Sequence, residues 1–159
     1  LRECDPQGRA GHAGEPMWDT SRHLIKFITN CNFSDPSYHL PHFYELFARW
    51  ADEDDREFWR GAAEASRAYL HLACHPDTGL SAEYAEYDGT PHEGDQEIFG
   101  RHDWYYSDAY RTIANIAMDW AVVWERSLAA GDRGKITEFL LRKAERTLGW
   151  CVSDGRHAS

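Results

Sequence analysis

A chain of 159 residues, 42% of them apolar, is long enough to bury one core, so a single domain is the expectation. Its net charge of −10, with dispersed acids and no basic stripe, argues against nucleic acid as a partner. No apolar run approaches the roughly 18 residues of a spanning helix, so no membrane partner is expected either.

The first 22 residues are rich in Gly, Pro and charge and read as loop. His23 to Thr29 is a short, strand-like apolar run. Asn30 to Pro41 is dense in turn residues, and Pro41 disfavours helical geometry at Leu40, so a helix is expected to begin at Pro41. Phe43, Leu46, Phe47 and Trp50 then recur at helical spacing and predict its buried face. The acidic run Asp52 to Asp55 reads as a solvated junction. A second helix is predicted from Asp55 to Cys74, with Phe58, Trp59, Ala62, Ala63, Ser66, Tyr69, Leu70 and Ala73 on one face. His75 to Gly79 ends it.

Residues 76 to 103 form a long connection, with a short hairpin expected around Tyr84 to Tyr87. Connections of this length in compact domains are often functional. A third helix is predicted from Ser107 to Ala129, with Tyr110, Ile113, Ala114, Ala117, Trp120, Val123 and Trp124 along one face and Ile116 broadening it. A fourth is predicted from Lys135 to Trp150. The fold class is therefore mainly α, built of antiparallel helix pairs. Aromatic residues make up 14% of the chain, a high share. They serve a core, and they are also the side chains that stack on sugar rings.

Within this frame the most informative stretch is Trp104-Tyr105-Tyr106-Ser107-Asp108-Ala109-Tyr110-Arg111. Asp108 falls in the first turn of the third helix, and Arg111 shares its face three residues on. The helix dipole and a nearby guanidinium both favour an ionised carboxylate, as a catalytic base requires. The plain alternative is a helix cap with an ordinary ion pair. Ser34 to Pro41 is a second candidate: two prolines stiffen a loop entering a helix, a suitable platform for Tyr38 or His39. Its plain alternative has Tyr38 packed on the core.

His71, Cys74 and His75 have metal-ligand spacing but no second cluster to complete a site. His92, Glu93, Asp95, Glu97, His102 and Asp103 form an acidic, His-bearing loop that could hold a cation or a hydroxyl-rich ligand, or be merely solvated. No metal and no cofactor is expected. Gly-x-Ser-x-Gly, the P-loop and Gly-x-Gly-x-x-Gly are absent, which argues against a serine hydrolase, a nucleotide-binding enzyme and a dinucleotide oxidoreductase. Cys4, Cys31, Cys74 and Cys151 form no Cys-x-x-Cys, and their pattern suits free thiols in the cytoplasm, although an even count also allows pairing.

Longer strings carry more. EPMWD (Glu15 to Asp19), LIKFI (Leu24 to Ile28), FSDPSYHLPHFYELFARWA (Phe33 to Ala51), FWRGAAEASRAYL (Phe58 to Leu70), ACHPDTGLSAEYAEYDGTP (Ala73 to Pro91) and YSDAYRTIANIAMDW (Tyr106 to Trp120) resemble glycoside hydrolase family 8. Within it they are similar to the reducing-end xylose-releasing exo-oligoxylanases. The resemblance implies an (α/α)6 barrel, a xylo-oligosaccharide substrate and inversion at the anomeric carbon. Inversion needs one carboxylic acid on the leaving oxygen and one carboxylate activating water from the opposite face.

By the same resemblance Asp108 matches the family's general base. Tyr38 matches the tyrosine near the attacking water, and Arg111 the arginine that pairs with the site carboxylates. The family's general acid is a Glu in a block like EGxSYGM, which does not occur here. A further Asp and a downstream loop that makes these enzymes exo-acting are also outside the matched part. Around Pro91 to Asp103 the chain carries extra residues. It is therefore expected to be a fragment from the middle of one catalytic domain, covering less than half of the pattern. Alone, it is expected to be inactive and to self-associate through unpartnered apolar faces. The alternatives are an endo-xylanase or endo-glucanase of the same family, or a non-catalytic helical interaction module with no need of Asp108 or Tyr38.

Overall fold

The computed structural model describes residues 16–94 and 101–130, with side chains as far as residue 122. The fourth expected helix lies outside these residues, as do Cys4, Asp95, Glu97 and Cys151. In order come β1 (Trp18–Asp19), β2 (Leu24–Ile25), β3 (Phe33–Ser34), a 3-10 turn (Pro36–Tyr38), α1 (Pro41–Trp50), α2 (Glu53–Ala73), β4 (Ala85–Glu86), a second 3-10 turn (Ser107–Ala109) and α3 (Tyr110–Ala130). No helix among the described residues is long and apolar enough to cross a membrane.

The segment before residue 23 is not all loop. Trp18 and Asp19 pair antiparallel with Ile25 and Leu24. The Asp19 carboxylate accepts from the Ser21 and Arg22 amides at 3.0 and 3.1 Å, which folds the chain back, and His23 completes the turn with φ 56°. The anchor is Trp18. Its ring meets Tyr44, Phe58 and Trp59 edge-on, with centroids 5.2 to 5.4 Å apart, at the centre of the main core. Each such pair is worth about 0.5–1.5 kcal/mol beyond its buried area.

Pro41 opens α1 at its first position, where the missing N–H costs nothing. Two residues separate α1 from α2, so the two helices run back along each other as a hairpin. Glu53, Asp54 and Asp55 occupy the first turn of α2, where its dipole favours negative charge. The buried face of α2 consists of the eight residues expected from spacing.

α1 buries a different face from that expected, while on α3 the expected Ile116 is buried and the buried stripe is turned towards polar residues. On α1 the buried residues are Pro41, His42, Tyr44 and Ala48, while Phe43, Leu46 and Trp50 are exposed and Phe47 alone of the expected stripe packs on the core. The cause is Tyr44, whose ring must meet Trp18 and Trp59. On α3 the buried positions are Thr112, Ile116 and Asp119, and Tyr110 is exposed. Polar partners turn this stripe inward. Ser81 donates to Thr112 at 3.1 Å, and Arg67 donates to both carboxylate oxygens of Asp119 at 2.9 and 2.8 Å.

The expected hairpin near Tyr84 exists as a tight turn. Glu86 and Thr90 are joined by a backbone bond of 2.8 Å, and Ala85 lies opposite Pro91. Gly89 adopts φ 89° there, beside the Leu72 backbone. β4 also pairs with β3, so the long connection is tied to the segment that leads into Tyr38.

Candidate active site

Two short 3-10 turns meet α3 and bring the expected residues together. The first begins at Asp35, whose carboxylate caps it by accepting from the Ser37 amide at 2.7 Å. Pro36 sets the backbone at the first position. The far end is held by the Tyr44 hydroxyl, which donates to the Tyr38 carbonyl at 3.1 Å. Tyr38 is left half-buried beside Phe27 rather than sunk in the core.

The second turn carries Asp108, one step ahead of α3 rather than within its regular first turn. The N-cap of this turn is Tyr106, which makes no side-chain cap bond, and the ion-pair part of the plain alternative is present. Ser107 has φ 43°, a left-handed conformation that costs a non-glycine residue about 1–3 kcal/mol and gathers at functional sites. Exposed Trp104, Tyr105 and Tyr106 lead into it.

Asp108 and Arg111 form the expected ion pair, with both side chains partly open to solvent. The same Arg111 nitrogen also reaches the Ser37 hydroxyl at 3.2 Å. One guanidinium therefore connects the Asp108 turn to the Tyr38 turn. Asn115, one helical turn further, donates to the Ser37 carbonyl at 2.8 Å.

The electrostatics have a clear sense. Burial, joined by the negative charges of Asp35, Asp108 and Glu83 against the pull of Arg111, raises the Tyr38 phenol above its ordinary value. Tyr38 is thus a hydrogen-bond donor at any physiological pH. Asp35 is pushed up to about 6 by burial, although hydrogen bonds from Ser37 and the charge of Arg111 oppose it. Tyr84 is raised to about 12, first by burial and then by Glu83.

His39, the alternative reader on the same loop, is a core residue. Ser34 gives its only hydroxyl proton to the Ile25 carbonyl at 2.6 Å, so His39 Nε2 must donate to Ser34 across 2.8 Å. Its Nδ1 then accepts from Ser66 at 2.9 Å, and full burial holds its pKa at about 3.

The acidic, His-bearing loop resolves into separate pairs: His92 with Glu86, His102 with Glu83, and Arg101 with Asp103. His75 accepts from the amides of Asp77 and Thr78, and Cys74 is buried. No group of three or more His, Cys, Asp or Glu among the described residues could hold a metal ion.

Sequence reasoning missed Ser37, Asn115 and Asp35 as parts of this arrangement. A signal existed for Asn115, which stands four residues after Arg111 and so on its helix face. Another existed in Asp35-Pro36-Ser37, a turn-capping pattern.

No family model matches the chain. Individual proteins do. It is 62% identical over 120 residues to the reducing-end xylose-releasing exo-oligoxylanase Rex8A of Paenibacillus barcinonensis, covering 76% of this chain and 31% of that protein. It is 57% identical over 119 residues to the reducing end xylose-releasing exo-oligoxylanase of Halalkalibacterium halodurans, covering 75% and 29%. This chain is homologous to a segment of the reducing-end xylose-releasing exo-oligoxylanases. A Rex8A structure complexed with xylose superposes with a TM-score of 0.71 at 53% identity, over 85% of this chain and 32% of that one. The chain thus spans about a third of the relatives it matches. The resemblance to glycoside hydrolase family 8 stands, and the described helices are part of an (α/α)6 barrel.

Proposed function

We propose that this chain is part of the catalytic domain of a glycoside hydrolase that acts on xylo-oligosaccharides and releases xylose from the reducing end with inversion. The observation that carries the reading is the Asp108–Arg111 ion pair joined through Ser37 to the Tyr38 turn. Asp108 is the general base: it lies against the Arg111 guanidinium, is partly solvent-open, and takes the proton from the water that attacks the anomeric carbon. Arg111 orients that carboxylate. Tyr38, kept protonated by burial and three neighbouring carboxylates, donates a hydrogen bond to the water or the sugar. The general acid comes from the part of the family pattern that this chain does not span. The names of the relatives support the substrate class.

The test uses the full-length product of the gene. Asp108→Asn keeps the shape of the side chain and removes the base. Turnover of xylotriose should fall by about 1000-fold or more, with binding retained. Proton NMR of the fresh product should show the α-anomer at the cleaved linkage. Turnover like that of the wild type in Asp108→Asn would remove Asp108 as base. Release from internal linkages would favour an endo-acting enzyme, and absence of sugar binding a helical interaction module.

A further inference from the structure

Ser37 uses every polar group it has. Its amide donates to Asp35, its carbonyl accepts from Asn115, and its hydroxyl oxygen accepts from Arg111. The residue is buried, so none of these bonds is exchanged freely for water. Two of the three partners stand on α3 one turn apart, and the third caps the turn that carries Tyr38. Ser37 is therefore a joint between the turn bearing Tyr38 and the helix that follows Asp108. Ser37 and Asn115 lie 78 residues apart in sequence, so their bond joins distant segments directly at the turn, in addition to the packing of α1 on α3.

We propose that Ser37 and Asn115 are positioning residues, which lock the Tyr38 turn to α3 and so set the Tyr38 phenol and the Asp108 carboxylate at a fixed separation around the attacking water. This rests on the reading of Asp108 as base. Asn115 grips the backbone of Ser37, while the Ser37 hydroxyl shares the Arg111 nitrogen that holds Asp108. Loss of either bond lets the two turns drift, which leaves the sugar-binding groups in place but spoils the geometry of proton transfer. An error of about 1 Å in such a geometry costs up to about 100-fold in rate.

The test pairs two variants of the full-length product, Asn115→Asp and Ser37→Ala. Asn115→Asp is nearly isosteric, removes the donor and sets a carboxylate oxygen against the Ser37 carbonyl. Ser37→Ala removes only the hydroxyl and is the milder change should the first fail to fold. Steady-state kinetics on xylotriose should show kcat down by roughly 10- to 100-fold with KM little changed. Hydrogen exchange of the peptide over residues 34–40 should be faster in Asn115→Asp, while peptides from α2 keep their protection. Unchanged kcat in both variants overturns the proposal, whether or not protection is lost, and so does a loss confined to KM. If Asp108→Asn proves fully active, the reading of Asp108 as base fails by itself, and unaltered exchange over 34–40 in Asn115→Asp would still refute the joint.

Discussion

Arg67 on α2 holds Asp119 on α3 with two parallel hydrogen bonds of 2.9 and 2.8 Å, across 52 residues of sequence. A third bond, 2.9 Å, reaches Glu45 on α1. One guanidinium thereby ties all three helices. The Asp119 side chain is 1% exposed, so water neither screens the pair nor replaces it.

Removing Asp119 leaves the largely buried Arg67 cation with only the quarter-exposed Glu45 of its two carboxylate partners. Asp119→Ala should lower the unfolding free energy by about 3–5 kcal/mol in chemical denaturation of the full-length protein. Glu45 is a quarter exposed, and Glu45→Ala should cost about 1 kcal/mol. Arg67→Met combined with Asp119→Leu should be less damaging than Asp119→Ala alone, because the desolvation penalty goes with the charges. Simple additivity in that double variant would show that the two residues are not a unit.

Two buried groups should oppose each other in the response to acid. His39 is held at about 3, below its ordinary 6.5, so its contribution is complete above 6.5 and is lost as pH falls through that window. Asp35 is held at about 6, above its ordinary 3.8, so its contribution is complete below 3.8 and is lost as pH rises through 6. Between pH 4 and 6 the slopes, each up to about 1.4 kcal/mol per pH unit, have opposite signs. Relative to the wild type, Asp35→Asn should lose stability on acidification from pH 6 to 4, and His39→Gln should gain it. Denaturation midpoints that move in parallel for all three proteins would reject the assignment.

Gly89 has φ 89°, and a Cβ there would lie 2.4 Å from the Leu72 carbonyl carbon. Gly89→Ala should cost about 3 kcal/mol or more, since a strained backbone and a clash with helix backbone add together. A thermal unfolding curve overlaying that of the wild type would show that the turn can shift away from α2.

Phe43, Leu46, Trp50, Tyr110 and Met118 are exposed, several of them on the faces that spacing had marked for burial. The 159-residue chain expressed alone should therefore self-associate and lack hydrolase activity. Sedimentation velocity across a concentration series measures this directly, and a monomer at every concentration would contradict it.

What was legible in the sequence was what local spacing encodes. The α2 face was readable because small and aromatic residues alternate there with charged ones at the helical period. The α1 and α3 faces were not, because their inward sides contain His42, Thr112 and Asp119, whose burial depends on distant partners. Apolar spacing selected another side of α1, and on α3 a neighbouring side that shares Ile116 with the buried one. Of the proposed site, the Asp108–Arg111 pair was legible from its i,i+3 spacing, and Tyr38 was singled out through the resemblance. Ser37 and Asn115 were not, since neither has chemistry of its own and their value arises only where two turns meet.

The left-handed Ser107 has a consequence for how this region can change over time. A helix cannot be extended backwards through such a residue, so α3 and its preceding turn keep their register whatever precedes them. Insertions or deletions between Pro91 and Trp104 are absorbed upstream of that stop. The length of that stretch is thus free to diversify without disturbing the carboxylate at Asp108.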